Sequence, residues 1–181
     1  MASHSHPDDH PTITPGDHEA FMTYALQVAQ KSPPAPNKFC VGALLVDASS
    51  GQILSTGYSL EYPRDHNGDL GTTHAEQCCM IKIGEAHNLP PDQIASVLPP
   101  DTVLYTTMEP CNERLSGNMT CCDRIIRLGD AIKTVYVGIR EPGTFIQKND
   151  GQKRLEGAGV RVVYPVEHMW DRILDVSMAG H

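Results

Sequence analysis

The chain has 181 residues, 40% of them hydrophobic, enough for one domain to bury a core without disulfide staples. No apolar run approaches the roughly 20 residues that cross a bilayer, and the first twenty residues lack the apolar centre of a secretory signal, so the sequence reads as soluble and cytoplasmic, with no membrane partner. A formal charge of -8, from 22 acidic against 14 basic residues, argues against the broad basic surface of nucleic-acid-binding proteins.

Residues 1–13 hold three His, two Pro and two Asp with almost no apolar content, and read as a disordered tail; His4, His6 and His10 belong to it rather than to a metal site. One domain is expected over residues 14–181. Thr14-Pro15-Gly16-Asp17 has the look of a helix start, with Thr14 as the cap and Pro15 in the first turn. Phe21, Met22, Ala25, Leu26, Val28 and Ala29 then follow helical spacing until Ser32-Pro33-Pro34 stops them. Val41 to Val46 and Gln52 to Tyr58 flank Asp47-Ala48-Ser49-Ser50-Gly51, which predicts a hairpin whose first strand is central. After a loop over 59–73, a helix is expected from His74 to Asn88 and a Pro-rich connection up to Asp101. Further along, Thr102 to Met108, Thr134 to Ile139 and Val160 to Tyr164 read as strands. Helices are expected over Cys121 to Leu128, Gly151 to Ala158 and Val166 to Met178. Strands alternating with helices after an opening hairpin give an α/β fold, a three-layer α/β/α domain around a mixed five-stranded sheet.

The chemistry lies in His74-Ala75-Glu76, in Glu109-Pro110-Cys111 after the third strand, and in Cys121-Cys122 beyond a nine-residue insert. Adjacent cysteines are awkward to bridge, so metal binding or burial accounts better for these thiols than disulfides do. Catalytic zinc takes three protein ligands from imidazole and thiolate and leaves its fourth position to water. One His and two Cys supply that set. Glu76, in the first turn of the same helix as His74, is placed to shuttle a proton without ligating the metal. Cys111 follows a proline where a helix is expected to begin, and the positive end of a helix would favour its thiolate.

An H-x-E with a later P-C and a second Cys resembles the zinc-dependent cytidine-deaminase-like superfamily over roughly residues 14–180. The usual C-x-x-C departs here to Cys111 and Cys121 with their long insert, a form similar to the riboflavin-pathway deaminases. TTMEPCNERLSGN, with HAEQC before it and VGIREPGTF after it, looks like the fungal members, which deaminate 2,5-diamino-6-ribitylamino-4(3H)-pyrimidinone 5′-phosphate. The resemblance implies one zinc held by His74, Cys111 and Cys121, with Glu76 as the catalytic residue. Cys121 is chosen over Cys122 because such enzymes place their second thiolate at the start of this helix. It further implies that Asn37 contacts the base, that the chain is a homodimer, and that its partner is a small phosphorylated pyrimidine rather than nucleic acid. The reductase and pseudouridine-synthase-like domains fused to some relatives are not expected in this length.

Both flanks of the insert are pinned to the metal, so its Arg114, Ser116, Gly117 and Asn118 are expected at the mouth, in reach of ribityl hydroxyls and phosphate. Cys40, Cys78 and Cys79 read as core, and Lys148, Lys153 and Arg154 as a solvated face. Two rivals remain. One is a deaminase of another nucleobase, a nucleoside or tRNA adenosine, whose tRNA form the acidic balance opposes. The other is a non-catalytic zinc-stabilised dimerisation module, which the intact Glu76 opposes.

Overall fold

The hairpin at the start of the domain forms one edge and the strand beside it in a five-stranded sheet in the computed structural model, which describes residues 9–181; the first hairpin strand is interior, and the centre is the third strand in sequence. Strands β1 (Gly42–Asp47) and β2 (Gln52–Tyr58) are antiparallel, and β1 pairs antiparallel with β3 (Thr102–Met108) on its other side. Strands β4 (Thr134–Ile139) and β5 (Arg161–Val163) continue the sheet in parallel, giving the order β2-β1-β3-β4-β5. The sheet is therefore mixed, as expected, and β1 is interior.

Helices cover both faces. Along β1, Leu44 and Val46 point to a core with Phe21, Met22, Ala25 and Leu26 of α1 (His18–Ala29) and Ile173 of α5 (Trp170–Ser177). Ala43 and Leu45 point the other way, to Ala75, Cys79 and Met80 of α2 (Ala75–His87), Ile125 of α3 (Cys121–Arg127) and Leu155 of α4 (Gly151–Gly157). A strand buried on both faces has no polar alternation, which is why VGALLV is continuous. Two glycines bring the layers into backbone contact. A Cβ at Gly42 would lie 2.0 Å from the Ala25 carbonyl oxygen, and one at Gly57 would lie 2.1 Å from that of Ala75.

Three local expectations change. Helix α1 begins at His18, not in the first turn after Thr14: Gly16 takes φ +82°, which breaks a helix, and Asp17 caps by accepting the Ala20 amide at 3.0 Å. The final helix is divided into a 3₁₀ turn, Glu167–Met169, and α5. The segment 9–13, read as the end of a tail, lies on the domain: His10 Nδ1 is 3.0 Å from the Tyr24 hydroxyl and Ile13 packs on the α1 core. Residues 1–8, with His4 and His6, lie outside the described residues. Among the described residues no helix is long and apolar enough to cross a membrane.

Candidate metal centre and active site

Three chain segments converge beyond the carboxyl ends of β3 and β4, the usual place for a ligand on parallel strands. The first is the start of α2. His74 is extended at the cap (φ −91°, ψ 157°), its amide donates to Gln77 Oε1 at 3.2 Å, and Glu76 follows in the first turn. The second is the turn after β3, which carries Cys111. The third is the start of α3, where the Thr120 hydroxyl accepts the Asp123 amide and holds Cys121 at the first helical position. No helix starts at Cys111; its sulfur instead accepts the backbone amide of Cys121 at 3.3 Å, so the helix-end polarity comes from α3.

His74 Nδ1 lies 3.4 Å from Cys111 Sγ and 3.5 Å from Cys121 Sγ, and the three donor atoms are all within 4.8 Å of one another. Tetrahedral zinc, about 2.3 Å from sulfur and about 2.0 Å from nitrogen, sets an S···N edge of about 3.5 Å. The donor set and its spacing fit zinc, and His74, Cys111 and Cys121 form a candidate zinc site. Cys122 turns away, its thiol donating to the Pro110 carbonyl at 3.4 Å.

The electrostatics are those of groups that share protons. A hydrogen bond from the Cys121 thiol, with the His74 charge nearby, holds Cys111 well below the usual thiol range, and Cys121 rises correspondingly. Burial lowers the His74 pKa, but the Cys111 thiolate more than offsets it and the balance is upward. Burial also raises the Glu76 carboxyl, and the Cys111 charge adds to it. Glu76 Oε1 accepts the Thr106 hydroxyl at 3.3 Å, while Oε2 faces Cys121.

A cavity of about 890 Å³, counting space open at its mouth, adjoins these groups. Asn37, Arg114 and Ser116 line it, as do His74, Glu76 and Cys111; Gly117 and Asn118 do not. Arg114 is committed to the loops, donating from Nη2 to the Thr72 carbonyl at 2.7 Å and from Nη1 to that of Met119 at 3.2 Å. Asn118 donates to the Leu70 carbonyl, and Gly117 turns the loop at φ +75°. Lys38, Phe39, Phe145 and Glu141 also line the cavity and were missed. Glu141 and Phe145 had a signal, their place in VGIREPGTF; Lys38 and Phe39 had none.

The other cysteines are buried. Cys78 sits with Tyr62 and Ile81, Cys79 donates to the Ala43 carbonyl, and Cys40 lies 3.6 Å from Lys38 Nζ. Lys148 is exposed beside Asp150, whereas Arg154 binds Asp123 and Asn112.

Residues 15–139 match the family described as the cytidine and deoxycytidylate deaminase zinc-binding region. A Schizosaccharomyces pombe protein named diaminohydroxyphosphoribosylamino-pyrimidine deaminase is 36% identical over 169 residues. The match covers 93% of this chain and 37% of that protein, so the chain spans well under half of the curated relative's length. Among solved structures, the Aspergillus oryzae Rib2 deaminase, a C-terminal deletion mutant at pH 4.6, is 40% identical with a TM-score of 0.77, covering 91% of this chain and 92% of that one. The same deaminase in complex with DARIPP at pH 6.5 gives 40% identity and a TM-score of 0.75, with 91% of each chain covered.

Proposed function

The chain belongs to the cytidine and deoxycytidylate deaminase zinc-binding family, and from that premise we propose that it hydrolyses the 2-amino group of 2,5-diamino-6-ribitylamino-4(3H)-pyrimidinone 5′-phosphate in riboflavin biosynthesis. The observation that carries the chemistry is the Glu76 carboxylate, buried at the ligand set and facing the cavity. The substrate assignment is supported by the names and the DARIPP complex of the two relatives.

His74, Cys111 and Cys121 would hold zinc, which when bound would supply the Lewis acidity that makes water a nucleophile near pH 7. Glu76 takes a proton from the attacking water at Oε2 and delivers it to the adjacent ring nitrogen. The second water proton passes by the same carboxylate to the exocyclic amine, which leaves as ammonia while a carbonyl forms at C2. A raised pKa suits the carboxyl to both taking and returning the proton. Asn37 and Ser116 meet the substrate from the cavity wall, while Arg114, which also lines it, acts with Gly117 and Asn118 through the loops they hold. We extend the reading to a single domain acting as a cytoplasmic homodimer. Six unpaired thiols suit a reducing compartment, and the family resemblance supports the dimer, which sedimentation tests.

The deciding experiment follows ammonia release from the ribityl phosphate, the ribosyl phosphate, cytidine and adenosine. An open chain offers an extra hydroxyl, and a site built to bond it leaves groups unpaired with the ring form, at about 1–3 kcal/mol each. The ribityl phosphate is expected to have the highest kcat/KM by roughly 5- to 150-fold per such group. Equal rates on both sugars remove the ribityl preference, and comparable turnover of cytidine removes the substrate class.

A further inference from the structure

Glu141 stands two residues beyond β4, level with the Glu109-Pro110-Cys111 turn that leaves β3, and it lines the cavity from the side of the two parallel strand ends. Its backbone amide donates to Glu109 Oε2 at 3.2 Å. Its carboxylate is held by Asn149, whose Nδ2 donates to Glu141 Oε2 at 2.7 Å and to the Pro110 carbonyl at 3.1 Å, while Asn149 Oδ1 accepts the Gly151 amide at 2.7 Å. One carboxylate oxygen is thereby fixed to the segment that carries Cys111. Among the described residues no donor reaches the other, Oε1.

Most of the other charged groups of the cavity are engaged, though the buried Arg114 Nε has no partner among the described residues, and Glu109, which also lines it, accepts the Glu141 amide. Lys38 Nζ donates to the Ser32 hydroxyl at 2.7 Å and to Cys40 at 3.6 Å, Arg114 serves two carbonyls, and Glu76 faces the metal ligands. Glu113 is exposed to solvent. Glu141 thus brings a partly buried, oriented acceptor to a site with no protein donor for it. Burial, aided by the nearby Cys111 and Glu109 charges, has pushed its pKa up to about 7, against the Asn149 hydrogen bond and the His74 charge that lower it.

We propose that Glu141 is a specificity-determining residue, whose free oxygen accepts N–H donors of the ring other than the amine that leaves. The inference rests on the function proposed above. A diaminopyrimidinone bearing a ribitylamino group has several such donors, whereas a cytidine ring has none once its exocyclic amine is the leaving group. A cytidine would leave Oε1 desolvated and unpaired, and a site that buries an unmet acceptor rejects the ligand that fails to meet it. Neither carboxylate then duplicates the other. Glu76 moves protons at C2, and Glu141 chooses which ring is presented there.

The test measures equilibrium binding in the Glu76→Gln background, where turnover is suppressed, using the diaminopyrimidinone ribityl phosphate and ribitol 5-phosphate as probes. With Glu141→Gln added, the amide oxygen can still meet Asn149, but its NH2 then opposes the ring donors. The full substrate is expected to bind about 5- to 150-fold more weakly, ribitol 5-phosphate is expected to bind unchanged, and zinc content is expected to hold. Glu141→Asp, which keeps a charged acceptor, is expected to recover part of the loss, and it serves as the second variant if the glutamine form folds poorly. Unchanged affinity for the full substrate overturns the proposal, and so does a parallel loss for both probes, which would place Glu141 on the ribityl tail. Failure of the functional reading looks different: with Glu76 and Glu141 intact, the diaminopyrimidinone would be neither bound nor deaminated.

Discussion

Glu76 Oε2 lies 3.3 Å from Cys121 Sγ although 45 residues separate the two in sequence. The contact joins the start of α2 to the start of α3, so the Glu76 carboxylate is fixed relative to the candidate zinc site by tertiary structure rather than by its nearness to His74 alone. Glu76→Gln keeps the size and the Thr106 contact but cannot carry a proton. It is expected to retain zinc and melting temperature while kcat falls by about 10²- to 10⁴-fold. Steady-state ammonia release beside metal analysis checks it, and near wild-type turnover would remove Glu76 from the chemistry.

The adjacent thiols Cys121 and Cys122 are expected to behave differently. Cys121→Ser should abolish stoichiometric zinc, since a neutral hydroxyl replaces a thiolate ligand. Cys122→Ser should keep about one zinc per chain, because its sulfur faces the Pro110 carbonyl within the core, and should cost only stability. Elemental analysis of both purified variants decides it, and the reverse pattern would exchange the two assignments. Stripping zinc with a chelator is expected to lower the melting temperature, since the metal would tie three segments together.

Arg114→Ala is expected to loosen the two loops at the cavity mouth. The guanidinium bonds carbonyls on both, and Asp69 lies 3.9 Å away. The loss in kcat/KM, about 10- to 100-fold from misplaced binding groups, should fall alike on the phosphorylated substrate and its dephosphorylated analogue. Limited proteolysis should show new cleavage between residues 112 and 119. A loss confined to the phosphorylated form would instead make Arg114 a direct phosphate ligand.

Ile13→Ser is expected to lower stability by about 1 kcal/mol, the value of partly buried apolar surface, with kcat unchanged. The urea midpoint measures it. No shift in the midpoint would mean that the packing of Ile13 on the core contributes nothing.

The sheet and the candidate zinc site were legible because each rests on a local signal. VGALLV and TVLYTTM have the run length and β-branching of strands, and His74, Glu76, Cys111 and Cys121 have residue types that few other uses explain. What escaped depends on distant partners. Thr14 looked like a cap, but Asp17 caps, since Gly16 adopts a conformation that nothing before it announces. Ile13 looked like part of a polar tail because the cluster its side chain packs on, and Gly51, which its carbonyl approaches, lie further along the chain. Arg114 looked free because the carbonyls it bonds belong to Thr72 and Met119, and one of them is 42 residues away. Glu141 lay in VGIREPGTF, but its place at the cavity emerges only once Asn149 and the strand ends are set around it.

Gly57 touches the backbone of α2 through a hydrogen atom where any side chain would strike the Ala75 carbonyl. The height of that helix above the sheet is therefore set by main chain against main chain, one residue from His74. Larger or smaller apolar residues elsewhere in the interior can alter how firmly the protein holds together without raising or lowering the imidazole. This separates durability from ligand geometry. An engineer seeking a hardier protein can redesign apolar positions in both cores, provided that Gly42 and Gly57 stay as they are.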